Sequence, residues 1–412
     1  MSLPLWGTLY DAVALGMYSF ARASYRLRVV APSNECIDSG TLYVAAHRAE
    51  TDVPIMCGSY YFAARVWAKR HPRLHFAARD DLFQQGFFAG FPPDLSRNTR
   101  RILHPLRVGG YLPQVRVHPI SSAVKMKLNQ ALHLIDPQIP LDQVLSVGMY
   151  EEFITRSRKL CSNEPNRVMD VLCSDYADLL WKDVEAEDLP PDIFADAWAN
   201  RAATATRDLR AIVDLVKDGE PLLLFPEGRP SPDGGLGPVQ RGIGAVIRRG
   251  KPNRLRAFGI AYDPLTTGRD VAIFSVLESI PTLQGKNATN LLPYLAKAVA
   301  LTTGQVLATF LLRSAKLPIV PEIRPAQLEK AIIEEREVAI TQGRVVDPVL
   351  DGKALRRHAL EDGVKAAENR GLLRVEGSRS IVLNVPAILS DPVIGRLALE
   401  QTSVVSEAAR DF

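Results

Sequence analysis

The sequence predicts an α/β fold, a mixed β-sheet flanked by helices, with a helical insertion and a small C-terminal α+β module. Short apolar segments alternate with longer segments of helical pattern, as in a sheet covered on both faces. Two of the apolar segments, TLYVAA and PLLLF, lead directly into polar side chains. In α/β proteins, the carboxyl ends of strands commonly carry the chemistry.

Residues 1–30 are expected to form an N-terminal helix that associates with membrane. Its apolar run, residues 3–20, is interrupted by Asp11 and two glycines, which makes it a poor transmembrane span. An apolar helix with a basic end can lie in a bilayer interface, and the same helix can equally pack against a core. With no secretory signal in view, we expect a peripheral location on the cytoplasmic face of a membrane. The basic end consists of Arg22, Arg26 and Arg28.

A buried strand is predicted at residues 41–46, after the turn-like sequence IDSG. His47 therefore stands at the carboxyl end of a strand. Residues 52–69 have a helical pattern, with Asp52 near the start and Pro54 in the first turn. A carboxylate at a helix N-terminus is favoured in its ionised form.

The rest of the central region continues the alternation. Residues 221–250 give a strand, a loop rich in proline and glycine, and a helix. Further strands are predicted at residues 74–79, 114–120, 254–262 and 271–280, and mostly helical stretches at residues 122–135 and 141–218, the second being the insertion.

The composition shifts near residues 318–325, which suggests one domain at residues 31–320 and a smaller one at residues 321–412. In the smaller one, charged helices precede a predicted hairpin at residues 371–384 that turns at residues 376–378. Helices followed by a hairpin resemble a winged-helix module. Its charge is mixed, which favours a packing domain over a DNA-binding one.

Composition narrows the class of protein. The 412 residues are 47% hydrophobic and 23% charged, as in a globular protein with a core, and a net charge of +4 does not indicate nucleic-acid binding. Four cysteines at irregular spacings fit neither a disulfide framework nor a zinc site, so we expect reduced thiols and no metal.

Two motifs carry the chemistry. The sequence AAHRAETDVP places His47 five residues before Asp52, and LLLFPEGRPS places Glu227 and Arg229 where a later strand meets its loop. Taken alone, the first motif is typical of a structural histidine and the second of an ion pair that caps a loop. A carboxylate and a guanidinium at such a position can also hold a hydroxyl and a phosphate together.

Together, the two motifs resemble blocks of the glycerolipid acyltransferase family, which includes the glycerol-3-phosphate and lysophosphatidic acid acyltransferases. That family carries H-x-x-x-x-D after one strand and F-P-E-G-T-R-S after another. The downstream GGLGPVQRGIGA and RLRAFGIAYDP resemble its continuation, so the resemblance covers residues 41–280.

The resemblance implies transfer of a fatty acyl group from acyl-CoA or acyl carrier protein to a hydroxyl of glycerol-3-phosphate or lysophosphatidic acid, with no cofactor and no metal. His47 would be the general base, and Asp52 would hold its ring. Backbone N–H groups at the start of the following helix would bind the oxyanion. The implied substrate-binding residues are Glu227 for the hydroxyl, Arg229 for the phosphate, and Gly228, Ser231 and Arg116.

This chain departs from the family pattern at several positions. Arg229 comes one position early, and Pro230 occupies the usual arginine position. In the second block the arginine position falls on Pro119 or Ile120, which leaves Arg116 as a substitute. Gly259 stands where the family often has proline.

These departures leave the acceptor open. A same-fold enzyme that acylates a non-phosphorylated alcohol, and a non-catalytic lipid-binding protein, are the alternatives. A lipid hydrolase is disfavoured because no G-x-S-x-G sequence occurs. Two basic runs could meet coenzyme A, a carrier protein, the membrane or the acceptor phosphate, or could be solvated surface; these are residues 96–101 and 247–256.

Overall fold

The chain forms two compact units in the computed structural model. One consists of Met1–Leu74 with Leu215–Phe412, and the other of His75–Asp214. The structure describes residues 5–32, 36–64, 72–90, 95–123, 125–160, 162–228, 230–231, 233–277, 280, 291–319, 323–377 and 380–410.

The strands lie close to their predicted positions except the first, at residues 26–30, which was predicted as part of the N-terminal helix. That helix ends at Ser24, because residues 26–30 pair with residues 271–275 in the sheet, so Arg26 and Arg28 lie on a strand and not at the end of the helix. The strands are β1 (Arg26–Val30), β2 (Thr41–Ala45), β3 (His75–Arg79), β4 (Val117–Ile120), β5 (Leu222–Leu224), β6 (Arg254–Asp263), β7 (Val271–Val276), β8 (Leu373–Glu376) and β9 (Ser380–Leu383).

Helices account for much of the remaining chain. They are α1 (Leu5–Ser24), α2 (Asp52–Ala63), α3 (Phe87–Gly90), α4 (Arg97–Leu103), α5 (Leu128–Leu132), α6 (Val147–Lys159), α7 (Val168–Val171), α8 (Ala177–Leu180), α9 (Pro191–Lys217), α10 (Arg241–Gly250), α11 (Leu292–Ala298), α12 (Thr303–Ala315), α13 (Pro325–Thr341), α14 (Lys353–Asn369), α15 (Val385–Ser390) and α16 (Pro392–Ala408).

The strands of the first unit are ordered β1-β7-β6-β2-β5. β2 lies between β5 and β6 and is parallel to both, whereas β6 and β7 are antiparallel. The sheet is therefore mixed, as predicted. Because β5, β2 and β6 run in the same direction, the residues that follow these strands meet at one edge of the sheet.

Helices cover both faces of this sheet. Successive residues of a strand point to opposite faces. On one face, Phe258 of β6 packs against Tyr60 of α2, with the ring centroids 4.6 Å apart. On the other, a Cβ at Gly259 would lie 1.9 Å from the carbonyl oxygen of Ala298 in α11. The close approach of α11 requires glycine at position 259. The family whose motifs this sequence resembles often has proline there.

The second unit contains a parallel pair of strands, β3 and β4, and a helical core. The strand predicted at residues 114–120 is too long. A 3-10 turn occupies Leu112–Val115, and Arg116 has a left-handed backbone with φ 63°, so extended structure begins only at Val117. The helix predicted at residues 122–135 is also too long: α5 spans five residues.

The long stretch predicted as helical at residues 141–218 is helical but broken. α6, α7, α8 and α9 are joined by turns, and they pack around shared apolar side chains. Representative members of this core are Leu132, Phe153, Val171 and Leu180.

The C-terminal helices belong to the first unit, and they share a core with α12. β8 and β9 pair in antiparallel fashion, which confirms the predicted hairpin; its turn begins at Gly377, and residue 378 lies outside the described residues. The boundary predicted at residue 321 also falls outside them and stays a prediction. Members of the shared core include Leu307, Ile332, Leu360 and Leu397.

Candidate active site

His47 and Asp52 form a hydrogen-bonded pair at the carboxyl end of β2. The Nδ1 atom of His47 lies 2.9 Å from Oδ2 of Asp52. The Asp52 side chain is fully buried, and 11% of the His47 side chain is exposed. Because an ionised carboxylate only accepts hydrogen bonds, the neutral imidazole carries its proton on Nδ1 and keeps a lone pair on Nε2.

The carboxylate of Asp52 is held at both oxygens. Oδ2 also accepts the backbone N–H groups of Arg48 and Ala49, and Oδ1 accepts the hydroxyl of Tyr262 at 2.6 Å. The N–H groups of Arg48 and Ala49, in the turn predicted to bind an oxyanion, donate to Asp52 instead. The carboxylate is fixed at the first residue of α2, where the helix dipole favours negative charge.

Tyr262 is a site residue that the motifs did not reveal. Burial, together with the nearby Asp52 charge, raises the pKa of its phenol above the ordinary value, so the hydroxyl stays protonated and donates. Its oxygen lies 3.0 Å from the Thr51 hydroxyl. Only its position on a strand could have pointed to this residue from the sequence. Tyr262 lies near the carboxyl end of β6, which is parallel to β2.

The loop after β5 packs directly on His47, so the structure brings the two motifs together. The ring of Phe225 lies 4.5 Å from the His47 ring, centroid to centroid. The backbone N–H of Ser231 donates to the carbonyl oxygen of His47 at 3.0 Å. Two further backbone hydrogen bonds shape this loop. The N–H of Gly228 donates to the carbonyl oxygen of Phe225, and the N–H of Gln240 donates to the carbonyl oxygen of Pro226.

Glu227 is buried with only 3% of its surface exposed. Burial raises the pKa of Glu227 to about 7, and the charge of Arg48 offsets part of this effect. The peptide groups of Gly237 and His47 also favour the charged form, but within the described residues neither carboxyl oxygen has a partner of hydrogen-bond geometry. An unpaired buried acceptor costs about 1–3 kcal/mol, which suits a group that receives a hydroxyl donor from a ligand.

The outcome differs for each of the other three residues predicted to bind substrate in this loop. Gly228 has φ 73°, a conformation that glycine adopts without strain. Ser231 donates its hydroxyl to Oδ1 of Asp233 at 2.8 Å, which stabilises the turn. Arg229 lies outside the described residues.

Arg116 belongs to the second unit. Its Nη1 atom lies 2.5 Å from Nε2 of His75, and Nδ1 of His75 lies 2.8 Å from Nε2 of His118. Burial and the Arg116 charge lower the pKa of His75 to about 3. Arg116 therefore donates to a neutral imidazole, and its role in binding substrate stays a prediction.

The basic run at residues 96–101 is engaged by acidic side chains of the same unit. Arg100 pairs with Asp178 at 3.3 Å, and Arg101 with Asp175 at 3.4 Å. As for metal sites, no group of three or more His, Cys, Asp or Glu side chains in the described part of the chain is arranged so that it could hold a metal ion.

Arg48 is the second site residue that the motifs did not single out. It is buried, and its Nη1 donates to the carbonyl of Gly234 in the glycine-rich loop. Its own carbonyl accepts Nη2 of Arg396, 348 residues along the chain, at 2.8 Å. No local pattern signals a contact over that separation.

Comparison with known proteins gives little further guidance. No protein-family model matches the chain, and no curated protein matches it either. Among solved structures, it is similar to the crystal structure of the 1-acyl-sn-glycerophosphate (LPA) acyltransferase, PlsC, from Thermotoga maritima. The identity is 12% and the TM-score 0.32, over 68% of this chain and 72% of that chain. Likeness at this level does not establish a shared activity.

Replacing Glu227 by glutamine should change how stability depends on pH. A carboxyl whose pKa is raised by folding favours the folded state below its unfolded pKa, near 4.5, and this contribution is lost as the pH rises through about 7. The free energy of unfolding of Glu227→Gln, minus that of the wild type, should therefore rise by about 2 kcal/mol from pH 5 to pH 8.

Urea unfolding of both proteins at several pH values measures this difference. Asp263, whose pKa burial also raises to about 7, is common to both proteins and cancels. A difference that stays constant from pH 5 to pH 8 would contradict the assignment of Glu227 as a buried carboxyl with a raised pKa.

Proposed function

We propose that the protein is an O-acyltransferase that moves a fatty acyl group from acyl-CoA or acyl carrier protein to a hydroxyl of glycerol-3-phosphate or lysophosphatidic acid. The observation that carries the proposal is the His47–Asp52 pair held against the loop that bears Glu227. The sequence resemblance supports the same reaction class.

In this reaction Nε2 of His47 takes the proton of the acceptor hydroxyl as its oxygen attacks the thioester carbonyl. Asp52 stabilises the imidazolium that forms. When the tetrahedral intermediate collapses, the C–S bond breaks and the thiolate leaves, taking the proton back from His47. An ester and a free thiol result. Glu227, whose buried oxygens have no partner among the described residues, would accept a hydrogen bond from a hydroxyl of the acceptor.

The proposal is tested by offering acyl-CoA and acyl carrier protein donors against glycerol-3-phosphate, lysophosphatidic acid and an uncharged lysolipid. Ester formation with release of the thiol is the expected result. Transfer only to the uncharged acceptor would favour the same-fold enzyme for a non-phosphorylated alcohol. Lipid binding without transfer in any combination would favour a non-catalytic protein.

Replacing His47 by alanine should lower kcat by at least about a hundredfold, because it removes the base. Asp52→Asn should have a nearly equal effect, because the asparagine amide can donate to Nδ1 and shift the ring proton onto Nε2. Steady-state kinetics on folded protein measures both. The exposed His358 provides a matched control, and His358→Ala should keep wild-type turnover. Near-normal turnover in His47→Ala would rule out the mechanism.

The acceptor phosphate is assigned to Arg229 on the resemblance. In the sequence, Arg229 stands one position earlier than the arginine of that family and directly precedes Pro230. Arg229→Ala should raise the KM for a phosphorylated acceptor by about ten- to a hundredfold and leave the donor KM nearly unchanged. An unchanged acceptor KM would mean that another cation, Arg116 among them, holds the phosphate or that the acceptor carries none.

We further propose that α1 docks the protein peripherally on the cytoplasmic face of a membrane. Among the described residues no helix has the length and apolar content to cross a bilayer. α1 packs on α2, where the rings of Tyr18 and Phe62 lie 4.2 Å apart. This packing leaves Leu15 53% and Phe20 45% exposed. Such a face suits the interface between headgroups and acyl chains.

Flotation with anionic vesicles tests this docking. Leu15→Glu with Phe20→Glu should abolish flotation of the full chain without unfolding it, since both side chains are exposed. The exposed apolar Leu355 on α14 is the control, and Leu355→Glu should float like the wild type. Equal flotation of all three proteins, or of none, would refute a docking role for α1.

A further inference from the structure

The last helix of the described chain, α16, contacts both loops of the candidate active site. Its Arg396 donates Nη2–H to the carbonyl oxygen of Arg48 at 2.8 Å, and Arg48 follows His47 directly. Arg396 also lies against the glycine-rich loop, because a Cβ placed on Gly234 would meet its Cγ at 3.0 Å and its carbonyl oxygen at 3.3 Å. One arginine therefore touches the turn after β2 and the loop after β5.

Further contacts fix the glycine-rich loop to the same helix. The N–H of Leu236 donates to the hydroxyl of Ser403 at 3.1 Å. The Cβ of Glu400 lies 3.4 Å from the position of a Cβ on Gly234. On its other side, the carbonyl of Gly234 accepts Nη1 of Arg48. The loop is thus held between α16 and the residue next to His47.

Electrostatic interactions of Glu400 add to these contacts between α16 and the loops. Glu400 is buried, and burial raises its pKa, while the charges of Arg48, Arg396 and Arg344 oppose this effect in that order. Of these three cations, Arg48 follows His47 directly, so its attraction to Glu400 adds a favourable interaction between α16 and the turn after β2.

The contact between Arg396 and Arg48 reaches the His47–Asp52 pair through a single peptide group. The carbonyl oxygen of Arg48 and the N–H of Ala49 belong to the same planar peptide unit and point in opposite directions. Arg396 binds the oxygen, and Oδ2 of Asp52 accepts the N–H at 2.9 Å. The same Oδ2 accepts the bond from His47. The orientation of this peptide plane thus contributes one of the four hydrogen bonds that position Asp52, and Arg396 holds the plane from the other side.

We propose that Arg396 is a positioning residue for the acyl transfer, which makes α16 a structural part of the active site. The inference rests on the proposed function. Arg396 is not assigned a contact with substrate: it acts through the peptide group between Arg48 and Ala49, and α16 supplies the fixed point from which it acts.

The test compares Arg396→Ala with Arg396→Lys and Arg396→Gln, which each retain an N–H donor. Arg396→Ala should lower kcat by about tenfold, with the KM of donor and acceptor within about twofold of wild type. The two donor-retaining variants should recover part of kcat. The control is Arg370→Ala, which removes another arginine bound to α16, through the N-cap residue Asp391 at 3.0 Å, and it should keep wild-type kinetics.

A second readout does not depend on turnover. In long-range ¹H–¹⁵N spectra, the Nδ1–H signal of His47, assigned with His47→Ala, should shift in Arg396→Ala and stay in place in Arg370→Ala. If the wild type transfers no acyl group, the proposed function fails, while this signal still reports whether Arg396 positions the pair.

Two results would overturn the inference. An unchanged kcat together with an unmoved His47 signal in Arg396→Ala would show that the contact does not position the pair. An acceptor KM that rises while kcat stays constant would make Arg396 a substrate-binding residue instead. Should Arg396→Ala fail to fold, Arg396→Met, which keeps an apolar stem against Gly234 but has no N–H donor, serves in its place, and the same two results in that variant would refute the inference.

Discussion

The candidate site depends on one carboxylate, that of Asp52. It is fully buried, and within the described chain it accepts hydrogen bonds from the His47 ring, the backbone N–H groups of Arg48 and Ala49, and the Tyr262 hydroxyl. A buried charge is tolerated only when it is paired and hydrogen-bonded. Three of these donors come from the turn between β2 and α2 and the fourth from β6, so the charge of Asp52 requires all of these elements to be in place.

The sheet explains why these groups meet. β5, β2 and β6 are parallel neighbours, so the loops after β2 and β5 and the last residues of β6 reach the same edge. The edge therefore brings together a histidine, the carboxylate that binds it and a buried glutamate from segments that are far apart in sequence. The phenol of Tyr262 and the ring of Phe225 limit the freedom of the two polar side chains they touch. Such pre-positioning is what proton transfer at an acceptor hydroxyl needs.

Arg48 joins this edge to the C-terminal helices. Its charge lowers the pKa of both Glu227 and Glu400, against the larger effect of burial on each. Two buried carboxyl groups that share one buried guanidinium are energetically coupled, because removing the cation would leave both without their main compensation. The C-terminal segment is consequently attracted by charge to the loops after β2 and β5, and its apolar core packs it on α12.

Local pattern determined most of the strands and the position of Glu227 at the end of one, and the resemblance of two short motifs to a known family predicted the His47–Asp52 pair. These features depend on a period of two residues, on turn residues and on a separation of five positions, all of which can be read within a short window. The same patterns predicted a strand at residues 114–120 and a helix at residues 122–135 that are longer than the observed elements, because a left-handed residue at Arg116 and packing in the second unit ended the regular structure.

Only the tertiary structure decided that Tyr262, 210 residues from Asp52, completes its hydrogen bonds, and that Arg396 binds the carbonyl of Arg48. It also decided that Glu227 is buried without a partner among the described residues. Burial and long-range hydrogen bonds arise when elements pack, and no local property of the chain encodes which distant side chain fills the remaining space.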